Sequence, residues 1–106
     1  SSVSFKLSRD SKSKGIITTG TGIKDEESNR EKGLLQGYML DSDYDVLPGD
    51  SVVTSGLGLY PKDIVIGEVT KVTEDKSKSL KYVVVKPNVN FKSVDNVMII
   101  EPRNIN

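Results

Sequence analysis

The chain has no cysteine, no histidine, no tryptophan and no alanine. Without cysteine there is no disulfide framework and no thiolate chemistry. Without histidine, a Ser-His-Asp triad cannot be assembled within these residues. Losing both His and Cys also removes the usual ligands of zinc. Lys plus Arg equals Asp plus Glu at 15 each, so no charge of one sign is in excess. That balance argues against a nucleic-acid or anionic-membrane binder, which usually carries a basic surplus. No apolar run approaches the ~20 residues of a membrane helix. The opening SSVSFKLSRD holds no signal-peptide core.

What remains is rich in β-branched residues, with 13 Val and 8 Ile. Such a composition favours pleated strands over helices. The length of 106 residues suits one domain spanning 1–106. Val3, Phe5 and Leu7 alternate as in a half-buried strand. A polar turn is expected over 8–15, then a short strand at GIITTG with Ile16 or Ile17 inward. In the charged segment 23–32 the propensities of Asp25–Lys32 allow a helical turn, but it has no apolar face to bury, so a mobile hairpin loop is the preferred reading. LLQGYML is a strand with Leu34, Tyr38 and Leu40 on one face. Further strands follow at DSVVTSG, at IVIGEVTKV with a bulge or bend at Gly67, and at LKYVVVKP. NVNFKSVDN reads as a loop with a helical turn that brings Phe91 and Val94 together. VMII is the last strand, and EPRNIN leaves the domain. Strands at this spacing predict an all-β fold, a small six- to seven-stranded antiparallel barrel, since closure hides exposed edges.

Three stretches imitate functional motifs. GDS at 49–51 resembles the surroundings of a protease nucleophile, making Ser51 and Ser55 candidates. With no histidine, only a Ser–Lys pair remains as an alternative, and most of the twelve lysines sit in polar turns. The structural reading is that Gly49 and Asp50 form a turn before a strand, and that Ser55 and Gly56 close it. Asp41, Asp43 and Asp45 have calcium-loop spacing, but Val46 and Val52 stand where glycine and a bidentate glutamate are needed. The glycines of TTGTG at 18–22 lack the dinucleotide fingerprint. An OB-like oligonucleotide binder is the other alternative, with Phe5, Tyr38, Tyr82 and Phe91 as its available stacking residues. Alternation assigns most of those to the core. No cofactor or metal site is expected.

Residues 47–72, LPGDSVVTSGLGLYPKDIVIGEVTKV, resemble the MreC family of rod shape-determining proteins. The family's pattern GD-x-V-V-T-S-G-apolar-G, then aromatic-Pro and apolar-Gly-x-Val, falls on Gly49, Asp50, Val52, Val53, Thr54, Ser55, Gly56, Leu57, Gly58, Tyr60, Pro61, Ile64, Gly67 and Val69. The loop before Tyr60 is slightly short, and Asp63 stands where glycine is common. The flanking stretches 2–20 and 81–100 are similar to the family's strands more weakly. The resemblance implies a non-catalytic scaffold on the extracytoplasmic side of a bacterial membrane. There it would organise lateral wall growth with a penicillin-binding transpeptidase, MreD and, indirectly, the MreB filament, and would self-associate. It also implies that this chain is the second of two barrels, anchored to the membrane only through a helix that the chain lacks.

Within that frame Gly49, Asp50, Ser55, Gly56, Gly58, Pro61 and Gly67 are expected turn or bulge positions. The loop GLGLYPKD carries Leu57, Leu59 and Tyr60. Either Leu57 and Tyr60 plug a barrel mouth, or Leu59 and Tyr60 stand out as a partner contact. The missing ligands generate the first test. Calcium and zinc titrations are expected to leave the melting temperature unchanged. Saturation of a specific site at one hundred times its Kd would add about 2.7 kcal/mol and overturn the reading.

Overall fold

The computed structural model describes residues 2–89, 91–94 and 97–100. Strands β1 (Val3–Leu7), β2 (Asp10–Ile17), β3 (Leu35–Met39), β4 (Ser51–Thr54), β5 (Val65–Asp75) and β6 (Leu80–Pro87) form a closed antiparallel barrel. Their order around it is β1-β2-β3-β6-β5-β4, and β4 returns to pair with β1 through Phe5↔Thr54 and Leu7↔Val52. A separate two-stranded sheet pairs β7 (Phe91–Val94) with β8 (Val97–Ile100). A single short helix among the described residues, α1 (Glu26–Glu31), joins β2 to β3. The expected 101–106 exit lies outside the described residues.

Alternation explains the interior. Val3, Phe5 and Leu7 point inward from β1, and Val52, Ile66, Val69, Val83 and Val85 complete a buried core with Met39 and Ile17. Phe91, just past β6, is 2% exposed and belongs to the same core. Each such side chain contributes roughly 1.5–3 kcal/mol relative to an exposed one.

Four expectations are corrected. The polar turn at 8–15 shrinks to Ser8 and Arg9, because the residues after it pair with β1 through the backbone. Asp10 caps this polar strand start by accepting from the Lys12 N–H at 3.1 Å and the Ser13 hydroxyl at 2.8 Å. In β3 the inward face is offset by one residue. Met39 is buried, Tyr38 is half-buried on the outer face, and Leu40 is 53% exposed. One slip in register moves every side chain of a strand to the other face. Residues 91–94 are a strand, since pairing with β8 competes successfully with a local turn.

The fourth correction is α1. It buries none of its residues, yet it is helical. Gly33, at φ 76°, ends it in a Schellman arrangement, with the Gly33 N–H on the Arg30 carbonyl and the Leu34 N–H on the Asn29 carbonyl. Glu26 accepts from the Thr21 N–H at 2.7 Å and its hydroxyl at 2.6 Å. The buried Gln36 donates to the Glu26 carbonyl at 3.0 Å. Side-chain and backbone bonds thus replace the apolar face that a helix normally needs.

Gly67 sits where strands press together. It pairs with Val52 on one side and Pro87 on the other, beside a register irregularity between β4 and β5. A Cβ there would lie 2.0 Å from the Lys86 carbonyl oxygen. Gly67→Ala is therefore expected to cost about 1–3 kcal/mol by overpacking. Gly56→Ala, at φ +90°, should cost about 1 kcal/mol. Thermal melts of both variants at the parent's temperature would contradict the packing argument.

Candidate functional site

Residues 49–63 read as one motif, but the fold divides them between the two ends of the barrel. The four residues of β4 separate the ends by roughly 13 Å. At one end, Asp50 precedes β4 and its carboxylate is almost enclosed. It accepts from Arg9 Nε at 2.5 Å, Arg9 Nη2 at 2.9 Å and the Leu47 N–H at 2.8 Å. Arg9 Nη2 also donates to the Asp45 carbonyl. This bidentate pair joins the β1–β2 turn to the β3–β4 connection. The Gly49 N–H and Asp50 carbonyl bond Val69 on either side of it, at 2.7 and 2.8 Å. The Arg9 hydrogen bonds hold the Asp50 carboxyl below its ordinary pKa, against an opposing desolvation effect.

At the other end, Thr54 sets the loop that follows. It is fully buried. Its hydroxyl donates to the Pro61 carbonyl at 2.6 Å and accepts from the Ile64 N–H at 2.8 Å. Its backbone N–H meets the Ile64 carbonyl and its carbonyl the Asp63 N–H. Ser55 is sewn to β1, with its hydroxyl on Ser4 Oγ at 2.7 Å and its N–H on the Ser4 carbonyl at 3.0 Å. Gly56 and Gly58 take left-handed φ of 90° and 86°, and Gly49 one of 98°. Asp63 also lies in the left-handed region, at φ 70°. Aspartate tolerates that conformation better than most residues, and its carboxylate pairs with Lys6 Nζ at 2.9 Å.

The loop so anchored sends its apolar residues in different directions. Tyr60 is half-buried and packs against the core, as does Ile64. Leu57 is 56% exposed and so does not plug the mouth, and Leu59 is 98% exposed. Val65, outward at the start of β5, and Val89, just after β6, are also exposed. Antiparallel order puts these two strand ends beside the end of β4, so all four lie at the same barrel end.

Ser51 is an exposed residue at the head of β4, and Ser55 is occupied by Ser4. The Asp43 N–H donates to the Asp41 carboxylate in a local turn at 2.9 Å, and the described residues contain no group of three metal-capable side chains. Arg9 and Gln36 stand in no sequence motif. Arg9 and Asp50 are 41 positions apart, so no local pattern links them. Thr54 stands within the signature, where a threonine ahead of a Gly-rich loop is the only signal of its anchoring role.

Fold and loop together define a small antiparallel barrel-core domain that fixes an exposed apolar loop at one end. The family model "Rod shape-determining protein MreC, barrel core" matches residues 1–101, and the chain belongs to this family of rod shape-determining proteins. It is similar to the cell shape-determining protein MreC of Geobacillus stearothermophilus and to that of Bacillus subtilis (strain 168). Each is 29% identical over 93 residues, covering 76% of this chain and 32% of the relative. The chain thus spans about a third of the length of these curated relatives. No solved structure matches it.

The Arg9–Asp50 clamp has a defined pH dependence. Asp50 has a lowered pKa in the folded state, so its contribution is present above the unfolded value of about 3.9 and is lost as pH falls through the folded one. Asp50→Asn should cost about 1–3 kcal/mol at pH 7. The gap between parent and variant in urea unfolding should close below about pH 4. A gap that stays constant down to about pH 2 would remove the clamp from the stability argument.

Proposed function

We propose that this barrel is a non-catalytic protein-contact domain, the second of two barrels in a longer membrane-anchored cell-shape protein. It works on the extracytoplasmic side of a bacterial membrane, where it helps to organise the peptidoglycan elongation machinery. The partners of this reading are a penicillin-binding transpeptidase, MreD with the MreB-linked complex, and further copies of the full-length protein. No nucleic acid takes part.

One observation carries the proposal. Leu59 is 98% exposed on a loop that Thr54, Ser55 and the Lys6–Asp63 pair hold in one shape. A fully exposed leucine on a mobile loop needs no explanation. On a loop anchored at both ends it is a preorganised apolar contact, and preorganisation lowers the ordering cost of binding. Tyr60 supports the loop from beneath, and Gly49, Asp50, Gly56, Gly58, Pro61 and Gly67 shape the backbone around it. The exposed Leu57, Val65 and Val89 lie at the same barrel end as Leu59. The family's role in rod shape agrees with a protein whose chemistry is contact.

The test is a pair of variants in the full-length protein. Leu57→Ser with Leu59→Ser should leave stability within about 0.5 kcal/mol of the parent, as exposed substitutions do. It should weaken capture of the transpeptidase or self-association, and cells relying on it should lose rod shape. Tyr60→Ser should instead destabilise the fold by about 2 kcal/mol or more, because the ring packs on the core. A stable Leu57/Leu59 variant with intact capture, self-association and cell shape would remove this loop from the contact surface.

A further inference from the structure

A second surface, distant in character from the Leu59 loop, lies on the barrel's outer wall. The segment 22–29 stands off β5 and β6 and leaves a groove of about 580 Å³ between itself and the β5–β6 hairpin. The pairing of Tyr82 with Tyr38 and Thr73, and of Val84 with Gln36 and Lys71, puts these residues on the outer face. Val84 is only 5% exposed there, in a groove that has Ile23 on its other wall. The floor is therefore apolar, with the half-buried Tyr82 ring in it. Among the described residues the Tyr82 hydroxyl has no hydrogen-bond partner.

The rim is cationic. Lys24, Lys71, Lys76 and Lys78 line the groove, and all four are exposed. None of them forms an ion pair among the described residues. Three carboxylates also line it, those of Asp25, Glu74 and Asp75. Asp75 is committed to its own turn, accepting from the Ser77 hydroxyl at 2.6 Å and the N–H groups of Ser77 and Lys78 at 3.1 and 3.2 Å. Four ammonium groups thus face three carboxylates, an excess of one positive charge in a chain whose total charge is zero, and the one of these carboxylates held by its own turn, Asp75, is turned toward the Ser77 and Lys78 N–H groups.

We infer that this groove docks an extended acidic peptide segment of a partner protein, with one apolar or aromatic side chain seated on Ile23, Tyr82 and Val84. The lysines select the sign of the segment, and the floor selects its apolar residue. An anionic polysaccharide satisfies the lysines but offers no apolar side chain for the floor, so the peptide is the better match. Charges at such a rim act on specificity and association rate, and the buried anchor supplies the affinity.

The test uses the 106-residue chain, isotopically labelled for amide NMR, and the blocked peptide Asp-Glu-Leu-Glu-Phe-Asp-Glu as probe. Saturable shifts are expected at residues 22–25, 71–78 and 82–84 with up to about 1 mM peptide. Lys71→Glu with Lys78→Glu should weaken binding about tenfold, as attraction at two surface charges turns to repulsion. Tyr82→Ala should weaken it comparably with the charges intact, and Lys12→Glu, outside the groove, should leave it unchanged. All these positions are exposed or half-buried, and a melting curve on each variant verifies the fold. Any of three results overturns the inference: no saturation, a charge-reversed variant that binds like the parent, or equal binding of Asp-Glu-Ser-Glu-Ser-Asp-Glu. Tighter binding of heparin than of the probe peptide at the same residues would also overturn it, in favour of a polysaccharide. None of these outcomes bears on the Leu59 loop.

Discussion

Everything in this domain depends on the pairing of β1 with β4, residues nearly fifty positions apart. Six short strands cannot each bury a face in an open sheet of this size without leaving two unpaired edges. Closing Phe5 on Thr54 and Leu7 on Val52 removes both edges at once. It also creates an interior that Val, Ile, Leu and Phe side chains fill, as in other small barrels. The cost is the loop entropy of a long-range contact, which grows only slowly with separation. The return is one continuous core reaching from Val3 to Phe91.

Closure also explains the two anchored ends. β4 has four residues, too short to hold itself in register by pairing alone. Asp50 and Thr54 bracket it with bonds that are not part of the ladder. Asp50 grips Arg9 across the β1–β2 turn, and Thr54 binds the chain on its way back to β5. A buried hydroxyl or carboxylate without partners carries a desolvation penalty. Each finds its partners in the segment whose position matters. The loop between Thr54 and Ile64 is therefore tied to the barrel at both ends, and its exposed leucines project from the same bonds that close the strand.

The outer wall follows a different logic. α1 adds nothing to the barrel core, but with Gln36 and Thr21 it makes a polar strap tied to β3. The strap turns a convex barrel wall into a grooved one. Function on such a fold resides in what is attached to it, and the two contact surfaces proposed above are an apolar loop at one end and a lysine-rimmed groove on one side.

Much of this is legible in the residues. Val3, Phe5 and Leu7 announce their strand by alternation, the lack of alanine argues against helices, and the missing histidine rules out the triad that GDS imitates. The 49–69 signature carries the family resemblance on its own. These are local properties, set by backbone preference and side-chain chemistry over a few positions. The offset of β3 cannot be read that way, because Leu34, Leu35 and Met39 offer two apolar faces and only pairing with β2 and β6 chooses between them. For α1 the propensities of Asp25–Lys32 allow a helical turn, and a glycine cap and Gln36, rather than an apolar stripe, decide in its favour. The Arg9–Asp50 clamp, the opposite fates of Leu59 and Tyr60, and the groove beside Tyr82 all depend on which distant segments meet. Such meetings are settled when the ring closes, since the energy that selects them belongs to the packed barrel and to no single stretch of chain.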